Sequence, residues 1–328
     1  MWFFTRRVRN RFMKALNGNT HSPRRGDWTK QHKLPRDACL HIGTINSNGL
    51  ADAAKRIAVD TSGLDIIGLT ETHLQSHLHN AYSEQWKTFH CFYSPDPSHK
   101  HYNGVAILIN KSKVWKATQI RWHESSPCHK FASAGCLIAT QVWFGHGGCS
   151  LLIYNVYAPS GSRWEEPKRR QLYELLDAIT EDSIMRGQLP SIMLGDLNMT
   201  IPESPKLALM LRNRTWCDTR MHATKVMIHE PTCYVGPSTG SIIDHIFVSP
   251  SLYDLVSNFQ VQKSTVFKDH SVVSIQLAVP SAVQTRMSLR KPAKLDFLKL
   301  PSSDDELFTC QPSEQFTKEM QSNNVNEA

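Results

Sequence analysis

Ile192-Met193-Leu194-Gly195-Asp196-Leu197-Asn198 is an apolar run that breaks off into a carboxylate and, two positions on, an amide. A short continuous run of this kind reads as a strand buried on both faces. An acid at its end is, alone, more often a turn former or a helix cap. The pattern recurs, however. Ile42-Gly43-Thr44-Ile45 ends on Asn46, Ile66-Ile67-Gly68-Leu69-Thr70 leads to Glu71, Ile242-Ile243-Asp244-His245-Ile246-Phe247 carries Asp244, and Asp269-His270 precedes Val272-Val273. Carboxylate, amide and imidazole groups at the strand ends of an α/β chain point to a metal-assisted hydrolase site gathered from distant segments.

Working outward, strand-like runs are predicted at 39–46, 65–70, 88–93, 104–109, 136–144, 150–157, 191–195, 231–235, 242–248 and 271–278. Leu151 to Tyr157 and Val105 to Ile109 are apolar throughout, as strands covered on both faces require. Helices are predicted at 51–60, where Ala53, Ala54, Ile57 and Ala58 share a stripe, and at 165–184, where Leu172, Leu175, Leu176 and Ile179 do so. Pro167 falls in the first turn of the second, where a missing N–H is harmless. So many buried strands with interspersed helices imply an α/β fold of two sheets packed face to face with helices outside. The expected organisation is a basic N-terminal arm at 1–37, one domain at 38–281 and a polar C-terminal tail at 282–328.

The net charge of +8 invites a nucleic-acid reading, but its distribution weakens that argument. Residues 1–38 hold ten Lys or Arg against two acids, while residues 39–328 hold 27 against 27. A DNA-binding face would have to be a local patch within a balanced body. The arm, from Met1 to Lys14, could form a short basic helix, which fits a mitochondrial presequence, a nuclear import signal or a DNA-contacting arm. A nuclear location is expected, with a mitochondrial one as the alternative. The eight cysteines show no metal-binding spacing and read as reduced structural thiols of an intracellular protein. No apolar run is long enough to span a bilayer, so no membrane partner is expected.

Taken in order, the polar positions resemble the endonuclease/exonuclease/phosphatase family. The matching segments are Asn46 in Thr44-Ile45-Asn46-Ser47-Asn48-Gly49-Leu50, Glu71 in Leu69-Thr70-Glu71-Thr72-His73-Leu74, Tyr157 in Asn155-Val156-Tyr157-Ala158-Pro159, Asp196 and Asn198 in Gly195-Asp196-Leu197-Asn198, Asp244 in Ile243-Asp244-His245-Ile246, and Asp269-His270. The resemblance spans roughly 39–280 and implies a four-layered α/β sandwich of two mixed sheets. It also implies phosphodiester hydrolysis with Mg²⁺, for which Mn²⁺ could substitute. Glu71 would be the chief metal ligand, with Asn46 and Asp269 beside it, all oxygen donors suited to a hard cation. Asp196 would orient or deprotonate the attacking water and Asn198 hold it. His270, its tautomer set by Asp244, would contact the phosphate, and Tyr157 would donate to the phosphate or the leaving oxygen. By strand alternation His245 points away from Asp244 and is expected to pack, while His73, His77 and His79 are expected to be surface histidines.

Pro231-Thr232 and Ser241-Ile242-Ile243-Asp244-His245-Ile246-Phe247-Val248-Ser249 bring the resemblance closest to the endonuclease domains of LINE-type retrotransposons, relatives of apurinic/apyrimidinic nucleases. That likeness implies a monomeric enzyme that nicks one DNA strand to leave a 3′-hydroxyl, with Asn48, Thr232 and Ser241 on the DNA. Two alternatives stay open: a phosphatase on inositol phosphates or other small phosphoesters, and a silent DNA-binding remnant. The second draws on Lys268, which stands where the family usually has Ser before Asp-His.

Overall fold

The computed structural model describes residues 39–94, 103–144, 150–187, 189–221, 229–234, 240–267 and 269–278. The expected arm at 1–37, the tail at 282–328 and Lys268 lie outside the described residues.

The strands, in chain order, are β1 (Cys39–Asn46), β2 (Ile66–Thr70), β3 (Phe89–Tyr93), β4 (Ala106–Asn110), β5 (Lys116–Gln119), β6 (Leu137–Trp143), β7 (Ser150–Tyr157), β8 (Ser191–Asp196), β9 (Cys217–Asp218), β10 (Asp244–Val248), β11 (Val256–Gln262) and β12 (Val272–Ala278). The α-helices are α1 (Ala53–Asp60), α2 (His79–Gln85), α3 (Pro127–Ser133), α4 (Glu166–Met185), α5 (Pro205–Arg212) and α6 (Pro250–Tyr253). One sheet runs β11-β12-β1-β2-β4-β3 and the other β5-β6-β7-β8-β10-β9.

Three apolar layers account for the architecture. The central one joins Ile42, Ile66 and Ile107 of the first sheet to Ile138, Ile153, Ile192 and Ile246 of the second. A second covers the outer face of the β7/β8 sheet with Leu172, Leu175, Leu176 and Ile179 of α4 and Leu207 of α5. A third packs Val59 of α1 and Trp86 against Ile67, Leu69 and Leu108. Helix, sheet, sheet, helix is the expected four-layered sandwich. As the apolar runs imply, every residue of β7 and of β8 is buried.

Within each sheet one pair is parallel: β1 with β2, joined through α1, and β7 with β8, joined through α4. Parallel strands linked by a helix end at the same edge, so the residues at their C-terminal ends converge.

Two expectations are corrected. In α1 only Val59 is fully buried, and Ile57 is 63% exposed, so the stripe of Ala53, Ala54 and Ile57 does not face the core. The helix is held by polar contacts instead. Asp52 caps its N-terminus, Lys55 Nζ donates to the carbonyls of Ser47, Asn48 and Gly49, and Arg56 reaches those of Leu50 and Ala51. The strand predicted at 231–235 is reduced to isolated bridges from Cys233 to Ser241 and His270. Pro231 has no N–H to offer a ladder, and Thr232 puts its side chain on the neighbouring backbone.

The two sheets are also tied by one buried amide. Asn155 on β7 donates through Nδ2 to the carbonyls of Leu69 (2.7 Å) and Ala106 (2.9 Å) in the opposite sheet. The approach is close enough that a Cβ at Gly68 would lie 1.9 Å from Leu194 and 2.7 Å from Asn155 Oδ1. Asn155→Ala should destabilise the fold by about 2–4 kcal/mol, because it strands buried carbonyls. Urea denaturation measures this, and an unchanged midpoint would show that the amide ties nothing.

Candidate active site

The expected site residues come together at one end of the sandwich. Asn46 closes β1 opposite Thr70, whose successor is Glu71. Tyr157 closes β7 opposite Asp196, the last residue of β8, and Asp196 faces Asp244, the first residue of antiparallel β10. Asp269 and His270 lead into β12, which pairs antiparallel with β1.

The centre of the arrangement is the Asn46 side chain. Its Nδ2 donates to Glu71 Oε1 at 2.9 Å and to Asp196 Oδ2 at 3.0 Å, linking a carboxylate from each sheet. Its Oδ1 accepts the Asn48 N–H at 3.0 Å. Asp196 Oδ1 accepts the Asn198 N–H at 2.7 Å, and Asn198 Nδ2 donates to Ala158 O at 2.9 Å. His270 Nδ1 lies 2.9 Å from Asp244 Oδ2. The Tyr157 hydroxyl bonds Glu71, and Asn48 Nδ2 reaches Asp269 Oδ2 at 3.4 Å. A cavity of about 250 Å³ opens along this edge between Asn46, Asn48, Lys55, Asp269 and His270.

Backbone conformation helps to aim these groups. Asn48, Glu71 and Asn198 adopt left-handed φ values of 41°, 48° and 48°. Asparagine tolerates that region, but for a glutamate it costs on the order of 1–3 kcal/mol. Fixed contacts offset the strain: Ser47 N–H bonds Thr70 O, Gly49 N–H bonds Glu71 O, and Thr72 N–H bonds Gly104 O. At Gly195, φ is +137° and a Cβ would lie 1.9 Å from Val156 O, so only glycine lets β8 approach β7 just before Asp196.

Electrostatics separate the groups. Burial, reinforced by Asp244, pushes the pKa of Asp196 up to about 7, the range suited to a base at neutral pH. For Glu71, burial acts upward but is outweighed by hydrogen bonds from His73, Asn46 and Tyr157, so its pKa is lowered and it stays ionised. Burial and the neighbouring Glu71 and Asp196 raise Tyr157, which remains a phenol able to donate. Burial would neutralise His270, yet the carboxylate of Asp244 wins and holds it as an imidazolium.

The donor chemistry fits a hard divalent cation. Glu71 and Asp269 offer carboxylate oxygen, whereas Asn46, expected as a ligand, turns its Nδ2 to Glu71 and Asp196 and its Oδ1 to the Asn48 N–H and so orients the carboxylates. The site gathers four carboxylates around one imidazolium, an excess of negative charge. Among the described residues, Asp196, Asp244 and His270 bring potential ligand atoms within 4.8 Å of one another. A protonated imidazole has no free lone pair, so that group serves proton and phosphate chemistry better than it serves a metal.

Other expectations are refined. Thr232 is fully buried, and its Oγ1 accepts the N–H groups of Ile243 (3.1 Å) and Asp244 (3.0 Å). It positions Asp244 and does not face a substrate. Ser241 is half-buried and pairs its backbone with Thr232 and Cys233. His77 is exposed, whereas His79 is half-buried and stacked on Tyr93, so these do not form a surface set. His73 is the residue the sequence reading missed. It has left-handed φ and places Nε2 3.7 Å from Glu71 Oε2. Its spacing of two from Glu71 was the available signal.

His245 packs as expected: it is buried, stacked on Phe247 at 5.3 Å, and its Nε2 lies 3.1 Å from Met199 O. Burial lowers its pKa to about 4. Above about pH 6.5 it is neutral in both folded and unfolded chains. As pH falls from about 6.5 to about 4 only the unfolded chain takes up the proton, so stability is lost across that window, on the order of 3 kcal/mol. His245→Gln, which keeps a donor for Met199, should flatten this part of the denaturation profile. A profile identical to wild type would rule out His245 as the cause.

A double-sheet α/β sandwich that gathers carboxylates, amides and an imidazolium at one edge defines a metal-dependent phosphoesterase. The chain belongs to the endonuclease/exonuclease/phosphatase family, whose model matches residues 43–258. Its fold is similar to that of the Xenopus laevis APE2 catalytic domain (TM-score 0.59, 19% identity, covering 73% of this chain and 93% of that one). It is also similar to the 3′ phosphatase NExo from Neisseria, solved bound to a product DNA hairpin (0.58, 21%, 73% and 100%). The AP endonuclease LMAP from Leishmania major shares the fold too (0.61, 14%, 82% and 98%). No curated protein matches the chain in sequence.

Proposed function

We propose that the protein is a Mg²⁺-dependent DNA endonuclease that nicks one strand and leaves a 3′-hydroxyl. The observation that carries this reading is the Asn46 bridge between Glu71 and Asp196, with the Asp244–His270 pair beside it. It sets a cation-binding carboxylate, a base near pH 7 and an imidazolium at one open edge. Similar structures named as an AP endonuclease and as a 3′ phosphatase holding product DNA support DNA as the substrate, as does the retrotransposon-like text around Thr232 and Ser241.

Glu71 would hold the cation, with Asp269 beside it, while Asn46 fixes the Glu71 and Asp196 carboxylates through its Nδ2. Bound there, the ion would neutralise charge developing on the phosphoryl oxygens. Asp196 takes the proton of the attacking water, and Asn198, expected to hold that water, instead bonds Asp196 through its backbone N–H and Ala158 O through Nδ2. His270, held charged by Asp244, binds a phosphate oxygen, and Tyr157 donates to the phosphate or the leaving oxygen.

Incubating the purified protein with supercoiled plasmid and Mg²⁺ should yield nicked circles whose ends are extended by a DNA polymerase. No nicking on intact or abasic DNA would sink the reading. Phosphate release from inositol phosphates or other small phosphoesters, without cutting of DNA, would select the phosphatase alternative.

A further inference from the structure

Trp164 is 74% exposed, yet it sits on a tightly built loop. The Ser162 N–H and hydroxyl both bond Pro159 O, Trp164 N–H bonds Gly161 O at 2.9 Å, and Gly161 takes a left-handed φ of 90°. The loop is anchored to the site at both ends of its approach. Asn198 Nδ2 holds Ala158 O, and Arg163 pairs with Glu203 on the segment that follows Asp196 and Asn198. Because β7 and β8 are parallel, this loop leaves the same edge as Tyr157 and Asp196. Two successive turns keep Trp164 within about 20 Å of Ala158, a span of a few nucleotides.

The Arg163 guanidinium lies 4.5 Å from the ring centroid of Trp164 and covers one face. A lone exposed apolar side chain is ordinary, but this one is an indole covered by a guanidinium at the edge that holds the site, and a partner can be inferred from that setting. Trp164 is the only large apolar side chain exposed between 158 and 170. Residues 163–170 hold Arg163, Lys168, Arg169 and Arg170 against Glu165 and Glu166; Arg163, Lys168 and Arg169 pair with Glu203, Glu165 and Glu166, so the surplus positive charge of the segment is the exposed Arg170. A rigid aromatic ring with a cation on one face, on a loop that leaves the edge holding the site, is suited to stacking a nucleobase on its other face.

We propose that Trp164 is a stacking platform for an unpaired base a few nucleotides from the phosphate that enters the site. This rests on the DNA reading of the same site and deepens it. The test is fluorescence anisotropy of labelled single-stranded oligonucleotides with EDTA present, so that no turnover occurs. Trp164→Ala should weaken binding about 5–150-fold, and Trp164→Phe should restore most of it. In a series of oligonucleotides each lacking one base, the loss should vanish for the one that lacks the stacked base. Equal affinities of wild type and Trp164→Ala, or a loss that ignores which base is missing, overturn the proposal. The two readings fail separately. Plasmid nicking without a Trp164 effect removes the platform alone, whereas a base-specific Trp164 effect in a protein that never nicks removes the endonuclease and leaves the platform.

Discussion

Asp196→Asn should lower phosphodiester cleavage by about 10²–10⁴-fold while leaving the fold intact or slightly more stable. The carboxylate is fully buried beside Asp244, and burial raises its pKa to about 7. It is therefore poised to take a proton, and costly to keep ionised in the folded protein. Asparagine keeps the shape and its oxygen can still accept the Asn198 N–H, but it cannot take up a proton. Its Nδ2 cannot accept from Asn46 as the carboxylate oxygen does, a lost bond that offsets part of the gain from removing a buried charge. Single-turnover nicking and thermal denaturation of the same preparation separate the effects. Cleavage within tenfold of wild type would remove Asp196 as the base, and a large fall in melting temperature would mean that the lost activity reports unfolding.

The second large effect is expected at His270. Removing it with His270→Ala leaves Asp244 buried without the imidazole that lies 2.9 Å away. Losing one member of a buried pair costs about 3–5 kcal/mol, and loss of a phosphate-binding donor lowers the rate by about 10²–10³-fold. The pH dependence has a definite sign. Against the burial that would lower it, Asp244 pushes the folded-state pKa of His270 up to about 12, above its unfolded value near 6.5. The stabilisation is thus complete below about pH 6.5 and shrinks as pH rises toward 12. Adding Asp244→Asn to His270→Ala should recover much of the stability and none of the activity. Recovered activity in the double variant would show that the pair is structural.

Much of this is legible in the sequence alone. Short apolar runs such as Leu151 to Tyr157 read correctly as strands because covering both faces of a strand demands continuous apolar sequence. The stripe of Leu172, Leu175, Leu176 and Ile179 marked the buried face of α4, since a helix repeats its contacts every three or four residues. The same reasoning failed for α1, whose small residues form a stripe without a partner. There Lys55 and Arg56 dock the helix by reaching back to carbonyls of residues 47–51, and a hydrophobic pattern carries no record of such bonds. Strands β5, β9 and β11 escaped notice because they are short, partly exposed or mixed in polarity.

Residue type and chain order are enough to identify the family, and the positions that the resemblance assigns, Asn46, Glu71, Tyr157, Asp196, Asn198, Asp244, Asp269 and His270, meet at one end of the sandwich. Each interrupts or ends a run whose periodicity is local, and local pattern is what one-dimensional text preserves. Which group touches which was decided by the tertiary structure. Asn46 joins Glu71 to Asp196, which lies 150 positions further along the chain than Asn46 itself. Thr232 turns inward to hold Asp244, and His73 turns back toward Glu71 through a left-handed residue. Hydrogen bonds between distant strand ends depend on sheet register and crossover connection. Those are settled only when the two sheets close on their shared core.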